Sequence, residues 1–242
     1  MKPLLALLFL LVAVLVLPNS TFAAPIVPGS FSTTWNNSGG DGDPNDPVYI
    51  NLGVCADAVY WEEIDNAANN GTSFNCVGAG SVETEVPFPS SGAYRVDYSG
   101  SFTQISFSGV NKNYFRTVEQ WGDSIWTNLF GSFQGVTNLA INASDAPDLS
   151  LITDLSYLFA GATNFNSNIN HWDVSNVTEM GGVFNGATSF NQPLDNWDVS
   201  NVLIFWGLEE GGMFEGATSF NQPLDNWDVS KGETFIDMFR GA

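Results

Sequence analysis

Side chains able to do chemistry are few in kind and unevenly placed. Of 242 residues, 26 are Asp or Glu, six are Lys or Arg, and one, His171, is histidine. A single imidazole excludes His-rich metal sites and any mechanism needing two of them. Carboxylates recur with a fixed spacing, Asp195 with Asp198 and Asp225 with Asp228. Paired carboxylates are the equipment of glycoside hydrolysis, yet rows of equivalent Asp lack the differing environments that split an acid from a base. The patterns G-x-S-x-G, H-E-x-x-H and the phosphate loop do not occur in the sequence. A secreted glycosidase is therefore the weakest of three readings, and no catalytic residue or metal ligand is assigned.

The remaining candidates are for binding. Trp172, Trp197 and Trp227 are each followed by an aspartate, Asp173, Asp198 and Asp228. Such a ladder can stack on sugars or a partner, with the acids offering a face to cations or basic surfaces. The duller reading makes the tryptophans core rows, because packing alone imposes the same register on every repeat, and it is preferred. Phe205 and Trp206, with Leu208, Glu209 and Glu210, lie in an insertion that either forms a contact loop or folds back over the core. His171 holds the position of Asn196 and Asn226, as expected for a solvent-side substitution and not a base.

The formal charge of −20 bears on partners. Six basic residues cannot build the cationic track that phosphate contacts require, which excludes nucleic acid and disfavours anionic membranes. Lys2, an apolar run from Leu4 to Leu17 and the small residues before Ala24 read as a secretory signal peptide over residues 1–23. The run is shorter than a spanning helix needs, so no transmembrane segment is expected in the mature chain. Export gives Cys55 and Cys76 an oxidising compartment, where a disulfide contributing about 3 kcal/mol is expected; separate buried thiols are the alternative. No other cofactor is expected. The tract Asp41-Gly42-Asp43-Pro44-Asn45-Asp46 opens like a calcium loop, but has Asp46 where position six needs Gly and Leu52 where position twelve needs a carboxylate. The alternative is a solvated acidic loop.

These side chains need a scaffold, and the chain changes texture at about residue 112. From 24 to 112 it is rich in Gly, Ser, Asn and Pro, broken by alternating runs: Val48-Ile50-Leu52, Tyr94-Val96-Tyr98, and Phe102, Ile105 and Phe107. Period two between turn residues predicts half-buried strands, and several of them in this length predict a β-sandwich. From 113 to 242 the sequence repeats. The block GATSFNQPLDNWDVS occupies Gly186 to Ser200 and recurs unchanged at Gly216 to Ser230. The opening phenylalanines, Phe133, Phe159, Phe184, Phe214 and Phe239, are spaced 26, 25, 30 and 25 residues apart. That period predicts a leucine-rich-type solenoid, since a lone unit cannot close a core while stacked units bury a continuous column. Leu194-x-x-Trp197-x-Val199 has the spacing of the leucine-rich strand, Asn191 and Asn221 are placed to form a ladder at the turns, and the 30-residue step should bulge within Leu203 to Gly212.

The run F-x-G-A-T-S-F-N-Q-P-L-x-N-W-D-V-S-N-V resembles the repeat of the BspA-like leucine-rich surface proteins, the DUF285 or 26-residue-repeat group. Val118-Glu119-Gln120-Trp121-Gly122-Asp123 through Ser150 is similar to the entry to that family's array. Many members place a PKD-like β-sandwich ahead of it, commonly with a W-G-D-G turn; this chain has Trp61-Glu62-Glu63 at the comparable place. The resemblance implies a surface-exposed binding or adhesion protein that contacts host or matrix components, and implies no catalytic residues.

The expectation is thus a mainly β protein, a sandwich followed by a solenoid. It is exported to the cell surface or beyond and binds a protein or glycan on another cell or matrix. Self-association through solenoid ends or edges in a surface layer is the alternative. Met238-Phe239-Arg240-Gly241-Ala242 opens another unit where an array needs a polar cap, so a continuation with further repeats and an anchor is expected.

Overall fold

The computed structural model describes residues 29–36, 48–53, 58–73, 83–86, 92–107, 111–207 and 211–242. The signal-peptide segment, the Asp41 to Asp46 tract, Cys55, Cys76, and Leu208 to Glu210 lie outside the described residues. The protein is mainly β, its one described helix being a short 3-10 turn at Asn111–Asn113.

The alternating runs at Val48 to Ile50 and Tyr94 to Tyr98 form strands as expected, whereas in the third run only Phe107 lies in a strand and Phe102 and Ile105 do not. In chain order the strands are β1 (Phe31–Asn36), β2 (Val48–Asn51), β3 (Ala58–Glu63), β4 (Asn66–Ser73), β5 (Glu83–Val86), β6 (Ala93–Ser99), β7 (Ser106–Phe107), β8 (Phe115–Gln120) and β9 (Ala140–Ile141). One sheet has the order β4-β3-β6-β1-β8-β9 and the other β5-β2-β7. Tyr94, Val96 and Tyr98 bury one face of β6. Trp35 of β1 meets Phe107 of the smaller sheet at 5.9 Å and Phe115 of β8 at 4.9 Å, so both sheets share one core. The texture change at 112 precedes β8, which nevertheless pairs with β1 (Thr33 opposite Val118). On its other edge β8 pairs in parallel with β9, so the stack that follows grows directly from the sheet.

On the far face of that sheet the alternate residues are polar and also buried. Arg95 Nη2 lies 3.3 Å from Glu62 Oε2, and its Nε 3.4 Å from Asp97 Oδ2. The Ser32 hydroxyl donates to Asp97.

Beyond Trp121 the repeated units lie on one another in register. Parallel bridges run Asp154 to Glu179, Glu179 to Ile204 and Ile204 to Thr234. The opening phenylalanines stack nearly parallel: ring centroids are 5.9 Å apart for Phe133 and Phe159, 5.7 Å for Phe159 and Phe184, and 5.4 Å for Phe184 and Phe214. A second column follows at Phe165, Phe190 and Phe220, with spacings of 5.7 and 5.9 Å. Within a unit the two columns touch, Phe184 on Phe190 at 4.0 Å.

Each unit donates backbone hydrogen bonds to the next, as from Phe159 N to Val183 O at 2.9 Å and from Phe184 N to Met213 O at 2.8 Å. A glycine column marks the closest approach. Gly161, Gly186 and Gly216 have φ of 68, 66 and 70°, the left-handed region that a side chain resists. A Cβ on Gly216 would stand 3.6 Å from the Cα of Gly186. Asparagine forms the expected ladder, with Asn191 N donating to Asn166 Oδ1 and Asn221 N to Asn191 Oδ1, both at 2.9 Å.

At the 30-residue step two short strands pair antiparallel, β10 (Trp206–Gly207) on β11 (Gly211–Gly212). The ladder resumes beneath it at Ile204 and Thr234, so the insertion costs no stacking.

Candidate functional site: the outer rows of the stack

Trp172 and Trp197 are each 2% exposed, and Trp227 in the last unit is half-buried. Their rings lie against the phenylalanine column, Trp172 on Phe159 at 6.0 Å, Trp197 on Phe184 at 6.1 Å and Trp227 on Phe214 at 6.2 Å. The Trp197 indole N–H donates to Ile169 O at 3.0 Å and that of Trp227 to Leu194 O at 2.9 Å, tying each unit to the one before. The indoles therefore pack inward and are not an external stacking platform: all three rings lie against the phenylalanine column, and Trp197 and Trp227 also spend their donors within the stack, whereas the buried Trp172 N–H finds no acceptor among the described residues.

Phe205 requires a similar correction as a contact residue. It is fully buried, with its ring 5.0 Å from Phe235 and 6.3 Å from Trp227. The parallel bridge at Ile204 draws the next residue inward, since neighbours in an extended chain point to opposite faces. Trp206, on β10, is half-buried.

What the stack presents outward is polar and repeated. Asp148, Asp173, Asp198 and Asp228 are all exposed. Each accepts a backbone N–H from the serine two residues on, at 2.9, 3.1, 3.0 and 3.0 Å respectively. The Ser175 hydroxyl adds a bond of 2.6 Å to Asp173.

These turns favour the ionised carboxyl. The serine hydroxyl and then its backbone N–H hold Asp148, Asp173 and Asp198 below the ordinary carboxylate range. For Asp228 the backbone N–H leads and the hydroxyl follows. Neighbouring units oppose this, Asp198 acting on Asp173 and Asp228 on Asp198, while Lys231 favours the ionised Asp198. Beside it Asn170 Nδ2 donates to Asp195 at 2.7 Å. His171 is exposed, its Nε2 3.4 Å from Asp145 O, on the solvent side as read from its register.

These aspartates thus face water and accept a turn amide at once. The serine that is their fixed partner is signalled in the sequence by the D-V-S triplet that recurs at Asp173, Asp198 and Asp228. The buried Arg95 group has no comparable signal, because a strand of alternating polar residues reads as a solvent face.

A carboxyl held down by folding contributes stability above its unfolded pKa of about 3.9, and that contribution is lost as pH falls through that value toward the folded one. The melting temperature should therefore fall from about pH 4 downward, and the slope should be shallower in Asp173→Asn with Asp198→Asn, whose amides keep the turn but do not titrate. Thermal melts followed by circular dichroism check this; an unchanged slope rejects the row as a source of acid sensitivity.

A mainly β chain whose second half is a stack of near-identical units with a polar outer row is the class these features define. Residues 127–242 match the family described as Mycoplasma protein of unknown function, DUF285. The matched segment is the stacked half. No curated protein and no solved structure matches the chain. No helix among the described residues is long and apolar enough to cross a membrane, and no group of three or more His, Cys, Asp or Glu among them is placed to hold a metal ion.

Proposed function

We propose that this is a non-enzymatic, secreted or cell-surface binding or adhesion protein. Its stacked half is a BspA-like leucine-rich solenoid, and the preceding sheets are a PKD-like sandwich that serves as a spacer. The observation that carries the reading is the row Asp148, Asp173, Asp198 and Asp228, exposed, ionised and fixed at the spacing of the units. Such a row is preorganised for a cationic partner, a basic segment of a matrix or surface protein, and it loses little conformational entropy on binding. A hydrolase finds less support, since the four displaced carboxyls all shift the same way by the same turn and supply no acid beside a base.

The test immobilises the chain and titrates it with basic matrix proteins, with neutral glycans as the comparison. Saturable binding that weakens with salt is expected, along with a loss of at least about tenfold when all four aspartates become asparagine. Binding indifferent to both changes would remove the acidic row from the reading. Sequencing the N-terminus of the protein recovered from culture medium should begin at Ala24.

A further inference from the structure

One stretch of each unit carries no ionisable side chain. Residues 159–170, 184–194 and 216–224 contain none, in a chain whose formal charge is −20. Within that stretch the asparagine ladder is spent on one side only. Asn166 Oδ1 accepts from Asn191 N at 2.9 Å and from Gln192 Nε2 at 3.1 Å. One unit on, Asn191 Oδ1 accepts from Asn221 N and Gln222 Nε2, both at 2.9 Å. Both lone-pair sites of each amide oxygen are thus taken. Nδ2 of Asn166 and Asn191, and Oε1 of Gln192 and Gln222, have no hydrogen-bond partner among the described residues. None of these four side chains is fully buried. Phe165, Phe190 and Phe220, each one residue ahead of its asparagine, are 5.7 and 5.9 Å apart, which sets the interval of the row. Beside it Thr188 Oγ1 donates to Thr163 O at 3.1 Å and Thr218 Oγ1 to Thr188 O at 3.3 Å. Those exposed threonines have spent their hydroxyl donors, and their methyl groups remain to meet a ligand.

We infer that this neutral strip is a second binding site, and that its ligand is an extended, β-linked neutral glycan lying along the stack. Each asparagine–glutamine pair offers one amide donor and one carbonyl acceptor, the two functions that a sugar hydroxyl answers at once. The threonine methyls beside them suit the C–H face of the same sugar. An ionic partner finds no charge here to meet. The interval between units is about the advance of one sugar in an extended chain, so successive sugars meet equivalent pairs. The amides are held before the ligand arrives, each asparagine by two bonds to its oxygen and each glutamine by one from its nitrogen, and little conformational freedom is lost on binding. Sites built to pair hydroxyls reject ligands that lack them, which gives the strip its selectivity. This inference goes beyond the acidic-row reading, since residues and ligand both differ, and the failure of either leaves the other standing.

Calorimetric titration of the full chain with glucose, cellobiose and cellotetraose tests it. Saturable binding is expected, tighter for cellotetraose than for glucose, and unchanged by salt or by the change of Asp148, Asp173, Asp198 and Asp228 to asparagine. Asn166→Asp with Asn191→Asp keeps the ladder oxygens and replaces the unspent donors. It should weaken cellotetraose binding at least about tenfold, with an unchanged circular dichroism spectrum. If that variant loses its spectrum, Gln192→Leu with Gln222→Leu, which spares the asparagine ladder, takes its place with the same expected loss. No binding at about 10 mM cellotetraose, an affinity indifferent to glycan length, or full affinity in a folded variant would each overturn the inference. A loss of glycan binding in the four-aspartate variant would overturn it as well, by moving the glycan to the acidic row.

Discussion

Replacing Phe184 by alanine lowers stability by about 3–5 kcal/mol, whereas the same change at Phe239 costs less than half as much. Phe184 touches four rings: Phe159 at 5.7 Å, Phe190 at 4.0 Å, Trp197 at 6.1 Å and Phe214 at 5.4 Å. Phe239 stacks on Phe214 and leaves 49% of its surface in water. Truncating the middle ring opens a cavity against close-packed rows that cannot collapse, because backbone bridges hold the units at their spacing. Urea unfolding followed by tryptophan fluorescence measures both. Equal costs at the two positions would mean that the rows are not one continuous core.

Arg95→Met is the second large effect, a loss of about 3–5 kcal/mol at neutral pH. Arg95 is 4% exposed and lies between Glu62 and Asp97, at 6% and 3%. Its removal takes the guanidinium away from two buried carboxylates, and withdrawing one partner of a buried ion pair is among the costliest kinds of mutation. Changing Glu62 to Gln and Asp97 to Asn in the same chain should restore most of the loss, since the amides keep the shape without the charge. A single replacement with little effect in denaturant titration would show that the group is solvated in solution.

The two halves were legible to different degrees, for different physical reasons. The stack could be read because every unit places the same side chain at the same site, so periodicity and packing express one constraint. Periodicity is silent on direction, however. An outward ladder of Trp172, Trp197 and Trp227 and an inward one repeat identically, and only the bonds to Ile169 O and Leu194 O settle which it is. The insertion was legible in length. The side to which Phe205 turns depends on where the ladder rejoins, a pairing of Ile204 with Thr234 across 30 residues that composition does not encode. In the first half, the membership of β8 in the sheet rests on long-range partners such as Thr33 and Val118, while composition changes only locally, at 112. The buried Arg95 group was illegible because burial of a polar strand face is decided by whatever covers it.

The parallel ladder has a mechanical consequence. Rings succeed one another along the stack every 5.4 to 5.9 Å, yet each step holds 25 to 30 residues. Pulled taut, 25 residues reach about 80–90 Å, so one unit peeled from the stack releases roughly fifteen times the length it occupied. Tension along the axis breaks one row of contacts at a time, and a row freed at the end can close again on its neighbour. A protein held at one end by a partner would yield in steps, dissipating a pull that a rigid rod would pass undiminished to its attachment.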